Sequence, residues 1–219
     1  METLNVKDNY GFEIENIWGD PKYLENDVTK PLIERGFTVQ EEMKKNALLF
    51  IGINPSYSEH YTKYYNEPEN AYFLKFIEIS KNVGHEWTHT DLLFFRETNQ
   101  KHIDVILLNK QAKFIYDQLM ISKQIIENSK PKIIIVCNSL ARHFFGIEKN
   151  IEKDQGVWMN YDFEFNEELG THVITNSDSK LKGVPVFFSS MLTGQRALDK
   201  GSLERLKWHI KFVLKKLEH

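Results

Sequence analysis

A three-layer α/β/α fold around a central, mostly parallel sheet of about four strands is the class this sequence predicts, on three observations. Residues 47–53, Ala47-Leu48-Leu49-Phe50-Ile51-Gly52-Ile53, and residues 133–137, Ile133-Ile134-Ile135-Val136-Cys137, are apolar runs of strand length. Such runs belong to strands buried on both faces rather than on one. Stretches with apolar residues at helical spacing separate them, and strands that alternate with helices return to the sheet by crossovers, which makes it mostly parallel.

Taken in order, residues 1–46 carry turn formers, Gly19-Asp20-Pro21 and Lys30-Pro31, and end in the polar stretch Gln40-Glu41-Glu42-Met43-Lys44-Lys45, which reads as a helical or irregular extension. The first strand stops at Asn54-Pro55-Ser56. Over 70–83, Phe73, Phe76, Ile77 and Ile79 recur at helical spacing and Gly84 is placed to end the helix. Residues 90–95 form a second strand candidate. A helix over 111–128 follows, with Phe114, Ile115, Leu119, Ile125 and Ile126 inward, and then the clearest central strand and the strand-to-helix turn at Asn138-Ser139. Polar turns and alternation across 158–182 predict an antiparallel excursion, within an insert spanning 148–182. Residues 184–190 return to buried-strand character, and Leu203, Leu206, Ile210, Val213 and Leu214 set the apolar stripe of a last helix. A single domain over 1–216 is expected, with 217–219 read as the start of a tag scar.

Composition narrows the function classes. The chain has 219 residues, 41% of them hydrophobic and 27% charged, enough for one large core. Its net charge of -3 offers no global attraction for a polyanion, so any nucleic-acid contact has to be local. A single cysteine, Cys137, excludes an intramolecular disulfide and a multi-cysteine cluster and fits a reducing compartment. No apolar run approaches membrane-span length, and a cytoplasmic monomer is the expectation.

In open parallel sheets ligands bind where strands end, because loops converge there and helix N-termini aim N–H groups outward. Three polar clusters fall at such ends: Asn54-Pro55-Ser56, Asn138-Ser139 and Ser189-Ser190. The first, as Gly52-Ile53-Asn54-Pro55-Ser56, resembles the first active-site motif of the mismatch-specific uracil/thymine-DNA glycosylases. Tyr65-Asn66-Glu67-Pro68-Glu69-Asn70, at matching distance, is similar to the Pro-x-Asn segment that opens that family's next helix. Thr88-His89-Thr90-Asp91-Leu92-Leu93 resembles its second strand, 132–137 its third, and Ser190-Met191-Leu192-Thr193-Gly194-Gln195-Arg196 its second active-site motif. The likeness to the uracil-DNA glycosylase superfamily runs from Ala47 to Leu214 with gaps, and 148–182 lies outside it.

The resemblance implies a uracil-DNA glycosylase-like fold and removal of uracil or a mispaired or damaged base from DNA, with no cofactor and no metal. It implies that Asn54 positions the attacking water, that Tyr65 stacks on the flipped base, that Asn70 supports the pocket, and that Gly52, Ile53, Pro55, Ser56 and Asn138 line the substrate site. Related enzymes carry His or Asn before Pro-Ser at the second motif. Ser190 stands there instead, a shorter partner for the departing base anion. Met191, Leu192 and Thr193 then form a DNA-probing loop, with an apolar wedge and Arg196 on a phosphate. Arg142, Lys132 and the lysines at 207, 211, 215 and 216 are further candidates for phosphate contact, although the lysines also read as the solvated face of a helix.

Simpler readings compete. Asn-Pro after a strand is also a turn in which Asn caps the next helix and Pro takes its first position. Tyr65 belongs to a cluster with Tyr57, Tyr61 and Tyr64, any of which serves as a loop anchor. No Gly-x-Ser-x-Gly elbow surrounds Ser139 or Ser190, and Cys137, His143 and His172 lack metal-ligand spacing. The alternative to an enzyme is a non-catalytic module of the same fold that binds a nucleic acid or nucleotide.

Overall fold

The computed structural model describes residues 2–66, 71–150, 157–194 and 197–218. Its centre is a six-stranded sheet in which β4 (Leu48–Gly52) lies between β6 (Trp87–Asp91) and β7 (Ile133–Val136), and β7 is followed by β10 (Pro185–Phe188), all four parallel. β9 (Thr171–Ile174) and β8 (Phe163–Asn166) then pair antiparallel at one edge. The apolar runs that announced β4 and β7 are buried at every position, because alternate residues feed two separate cores. Leu49, Ile51, Ile134 and Val136 face one, and Leu48, Phe50, Ile133 and Ile135 face the other.

Helices cover both faces. α4 (Leu74–Val83) and α8 (Lys200–Lys216) close the smaller core through Phe76, Ile79, Leu203, Ile210 and Val213. α1 (Val6–Gly19), α5 (Lys101–Leu108), α6 (Ala112–Ser129) and α7 (Ser139–Phe145) close the larger. Gly84 ends α4 in the left-handed region at φ 71, a conformation that asks for glycine. α8 begins on Asp199, whose carboxylate accepts from the Ser202 N–H at 3.0 Å.

Four expectations are corrected. The sheet has six strands rather than about four, since the antiparallel excursion joins it as β8 and β9 instead of standing apart. Residues 1–46 are no appendage: α1 buries Val6, Tyr10, Ile14 and Ile17 in the larger core, and the polar stretch around 39–44 forms β2 (Val39–Gln40), paired with β5 (Tyr64–Tyr65), and β3 (Glu42–Lys44), paired with β1 (Thr3–Asn5). The second strand starts at Trp87, three residues earlier than its apolar pattern, and ends at Asp91, four residues earlier, because Trp87 and His89 face α4 while 92–95 leave the strand for the larger core. The lysine face of α8 is not all solvated either. Lys207 is buried and pairs with Glu78 and Glu204, as a long cation must when its helix packs down on α4. Leu217 caps α8 and packs against the smaller core.

β4 hands the chain to α4 on one face, whereas β6 and β7 hand it to α5 and α7 on the other. The loops after β4 therefore part from those of both neighbours, which opens a crevice at the carboxyl ends of the strands.

Candidate active site

A cavity of about 610 Å³ occupies that crevice. Gly52, Ile53, Asn54, Pro55 and Ser56 line it from the end of β4, Asp91 from β6, Cys137 and Asn138 from β7, and Met191 and Leu192 from the segment after β10. Tyr65, Tyr72, Tyr57 and Tyr61 supply aromatic walls and rim. Its volume is that of a small-molecule site.

Asn54 is not a helix cap, for residues 55–66 form no helix. Its amide nitrogen donates instead to the carbonyls of Pro55 at 3.0 Å and Glu97 at 2.6 Å. Two carbonyl acceptors fix which end of the amide is nitrogen, so Oδ1 remains as the acceptor half of a half-buried group beside the cavity. The turn is clamped from the chain beyond β6. Leu93 N–H donates to Ile53, Glu97 N–H donates to Pro55 at 2.9 Å, and Tyr57 N–H reaches the Thr98 hydroxyl at 3.2 Å. Arg96 backs this clamp. Its guanidinium lies 3.4 Å from the Tyr61 ring centroid and 5.3 Å from that of Tyr57, and it donates to the carbonyls of Arg35 and Ser58.

On the cavity floor, Asp91 stands opposite Gly52 in the parallel register. The glycine is required there, since a Cβ at position 52 would run into Asp91 Oδ1 and lie 3.3 Å from His89 Nε2. His89 is 2% exposed, stacks on Phe76 and lies 3.2 Å through Nδ1 from the Tyr65 hydroxyl. Its Nε2 has no hydrogen-bond partner and sits 3.7 Å from Asp91 Oδ1. Burial lowers His89 to about 3, so the ring is neutral, and the same burial pushes the Asp91 carboxyl up to about 7. Burial also raises Tyr65, Tyr72 and the Cys137 thiol, which leaves all three protonated at neutral pH.

The sequence matches no protein-family model and no curated protein.

The predicted site residues are mostly brought together. Gly52, Ile53, Asn54, Pro55, Ser56, Tyr65, Asn138 and Met191 share the cavity. Asn138 also caps α7, its oxygen accepting from Leu140 and Ala141 at 2.8 and 3.3 Å, which leaves its amide nitrogen as the half to meet a ligand. Ser190 is exposed and lies outside the lining, so it is not placed to help a departing base, and Thr193 of the expected probing loop lies outside the lining too. Leu192 is buried in the smaller core at 4% exposure and is held by packing rather than presented as a wedge. Arg142 is paired with Glu148. Asn70 and Arg196 lie outside the described residues.

Missing from the sequence reading were the floor groups His89 and Asp91 and the clamp residue Arg96. A signal existed: His89 and Asp91 are two residues apart and share one face of a strand, and Asp91 closes it. Among the described residues no three His, Cys, Asp or Glu side chains converge to hold a metal, and no helix is long and apolar enough to cross a membrane.

Proposed function

We propose that the protein is an N-glycosylase that takes a base flipped out of DNA, uracil or a mispaired or damaged base, and hydrolyses its bond to the sugar. The observation that carries this reading is the freed Oδ1 of Asn54 at the mouth of a base-sized cavity whose floor is polar and buried. A base inside a duplex is out of reach of such a floor, so it has to be extruded and read on its edge.

In the reaction this implies, water held by Asn54 Oδ1 adds to C1′ as the C1′–N bond breaks and its electron pair passes to the base. The water proton goes to solvent and the base anion is protonated in turn. Asn54 orients the nucleophile but accepts no proton, so the sugar must develop most of its positive charge before water bonds. Asn138 Nδ2 and the backbone N–H groups of the turn are the donors for the departing base.

The test is release of free base from a panel of labelled oligonucleotides carrying uracil, mispaired thymine, hypoxanthine, xanthine and modified cytosines, with alkaline cleavage to reveal abasic sites. Release is expected for one class, and Asn54→Ala is expected to lower it by at least about 100-fold. Unchanged release by Asn54→Ala removes Asn54 from the mechanism.

A second reading, a non-catalytic binding module, is favoured by the exposure of Ser190 and the net charge of -3. It predicts oligonucleotide binding with no release across the whole panel.

A further inference from the structure

Burial is graded across the cavity. Tyr57 and Tyr61 at the rim are 44% and 45% exposed, Asn54 is half-buried, and the side chains of Asp91 and His89 at the floor are 12% and 2% exposed. A nucleoside entering such a cavity leads with its ring and leaves the sugar beside Asn54. The floor is then where the ring edge is read, and a group there awaits a partner. Among the described residues His89 Nε2 has no hydrogen-bond partner, and the Asp91 carboxyl stands beside it with Oδ1 3.7 Å away. Buried polar atoms without partners are rare enough to call for an explanation, and a ligand supplies one.

We propose that Asp91 and His89 form the ring-recognition subsite of this cavity and that they select an aminated pyrimidine edge of the cytosine type over the edge of uracil. The inference rests on the glycosylase reading for the direction in which the ring enters, and it adds the class of ring.

The chemistry follows from what each group is able to offer. With the Tyr65 hydroxyl donating to Nδ1, the His89 proton sits on Nε2, which donates to the pyrimidine 2-carbonyl. Asp91 then faces the next two positions of the ring. In cytosine these are a ring nitrogen and an amino group, and a carboxyl pairs with them whether the shared proton is on its own oxygen or on the ring nitrogen. In uracil they are an N–H and a carbonyl, which only the protonated acid matches. The ionised form sets a carboxylate oxygen against a carbonyl oxygen. An ionised Asp91 alone opposes the cytosine ring nitrogen as it opposes the uracil carbonyl, so either pair holds one proton, carried by the carboxyl or taken up from solvent. Only cytosine offers a basic ring nitrogen to share it, which makes that pair charge-assisted and the stronger of the two. The other titratable groups around Asp91 are His89, Tyr65, Tyr72 and Cys137, and burial holds each of them neutral across this range.

The experiment is calorimetric titration of the protein with free cytosine and free uracil at pH 6 and pH 8, for the unaltered chain, Asp91→Asn and Asp91→Leu, with thermal melts to verify folding. Cytosine is expected to bind at least about tenfold tighter than uracil at both pH values, and both bases to bind more weakly at pH 8 than at pH 6. Asp91→Asn, whose amide turns to suit either edge, is expected to bring the two bases within about threefold, and Asp91→Leu to lose both. Equal affinities at pH 8, no binding of either base by the unaltered chain, or a preference that survives in Asp91→Leu overturns the inference. Free-base binding is independent of hydrolysis. Preference for cytosine with no release from any oligonucleotide keeps the subsite and removes the glycosylase, whereas release of uracil with no cytosine preference does the reverse.

Discussion

Asp91 and His89 are buried by the same walls and respond to burial in opposite directions. Asp91, raised to about 7 from an ordinary value near 3.8, binds more protons folded than unfolded between those limits, so its contribution to stability falls as pH rises from about 4 to about 7. His89, lowered to about 3, binds fewer protons folded than unfolded, so its contribution rises between about 3 and 6.5. The two slopes oppose each other through the acid range. Asp91→Asn removes one of them, and comparing it with the unaltered chain cancels every other titrating group. The variant is expected to match the parent near pH 4 and to exceed it by on the order of 2–4 kcal/mol at pH 8, read from urea unfolding at both. A difference that does not change with pH would mean that the carboxyl is not desolvated. Gly52 is the complement of the same floor. Gly52→Ala puts a methyl where Asp91 Oδ1 sits, and overpacking of this kind costs about 1–3 kcal/mol. The expected result is a folded protein of lower urea midpoint that has lost its ligand and its base release together, and full activity in that variant would show the floor to be spacious.

At the scale of elements, the site depends on a segment that is neither helix nor strand. Residues 92–98 leave β6, run beside 52–55 and hold Asn54 by its amide, and their own backbone is secured by Gln118 of α6. That side chain is fully buried, accepts from the N–H groups of Phe94 and Phe95 through one oxygen, and donates to Phe114. Gln118→Leu leaves two buried N–H groups without an acceptor, at about 1–3 kcal/mol each. Equilibrium unfolding is expected to show a loss of about 2–6 kcal/mol, and catalysis is expected to weaken beyond that loss because the clamp on Asn54 loosens. Stability lost with activity per folded molecule intact would uncouple the clamp from Asn54. The same elements mark the limit of sequence reading. β4 and β7 are legible because they are apolar at every position, and Gly84 announces the end of α4. β6 is not legible at its start, where Trp87-Thr88-His89-Thr90 mixes polar groups into a buried strand, and α5 is not legible because its exposed Val105 and Leu108 blur the apolar face set by Ile103 and Ile106. The antiparallel pair is legible, but nothing in its alternation says that it joins the main sheet through β10.

For the whole molecule, the balance of charge decides how nucleic acid is met. Net charge is -3, and Lys207, Arg142 and Arg35 are committed to Glu78, Glu148 and Glu97. Affinity for a single-stranded abasic oligonucleotide is therefore expected to vary little with salt, falling less than about tenfold between 50 and 200 mM as for about two neutralised phosphates. A steeper slope would reveal a local cationic track. From the sequence alone came the alternating α/β class, the parallel core strands, and Asn54 at the end of β4, because continuous apolar runs and the residue that stops them are local properties of the chain. Tertiary structure alone decided the rest. It freed Asn54 from helix capping by tying its amide to Glu97, removed Ser190 from the cavity, drew Leu192 into the core, and set Asp91 against Gly52. The physical reason is range. Periodicity reports which face of a strand or helix is buried, whereas the freedom of a polar atom to meet a ligand depends on partners some forty residues away, which pairing of strands and packing of helices bring to it.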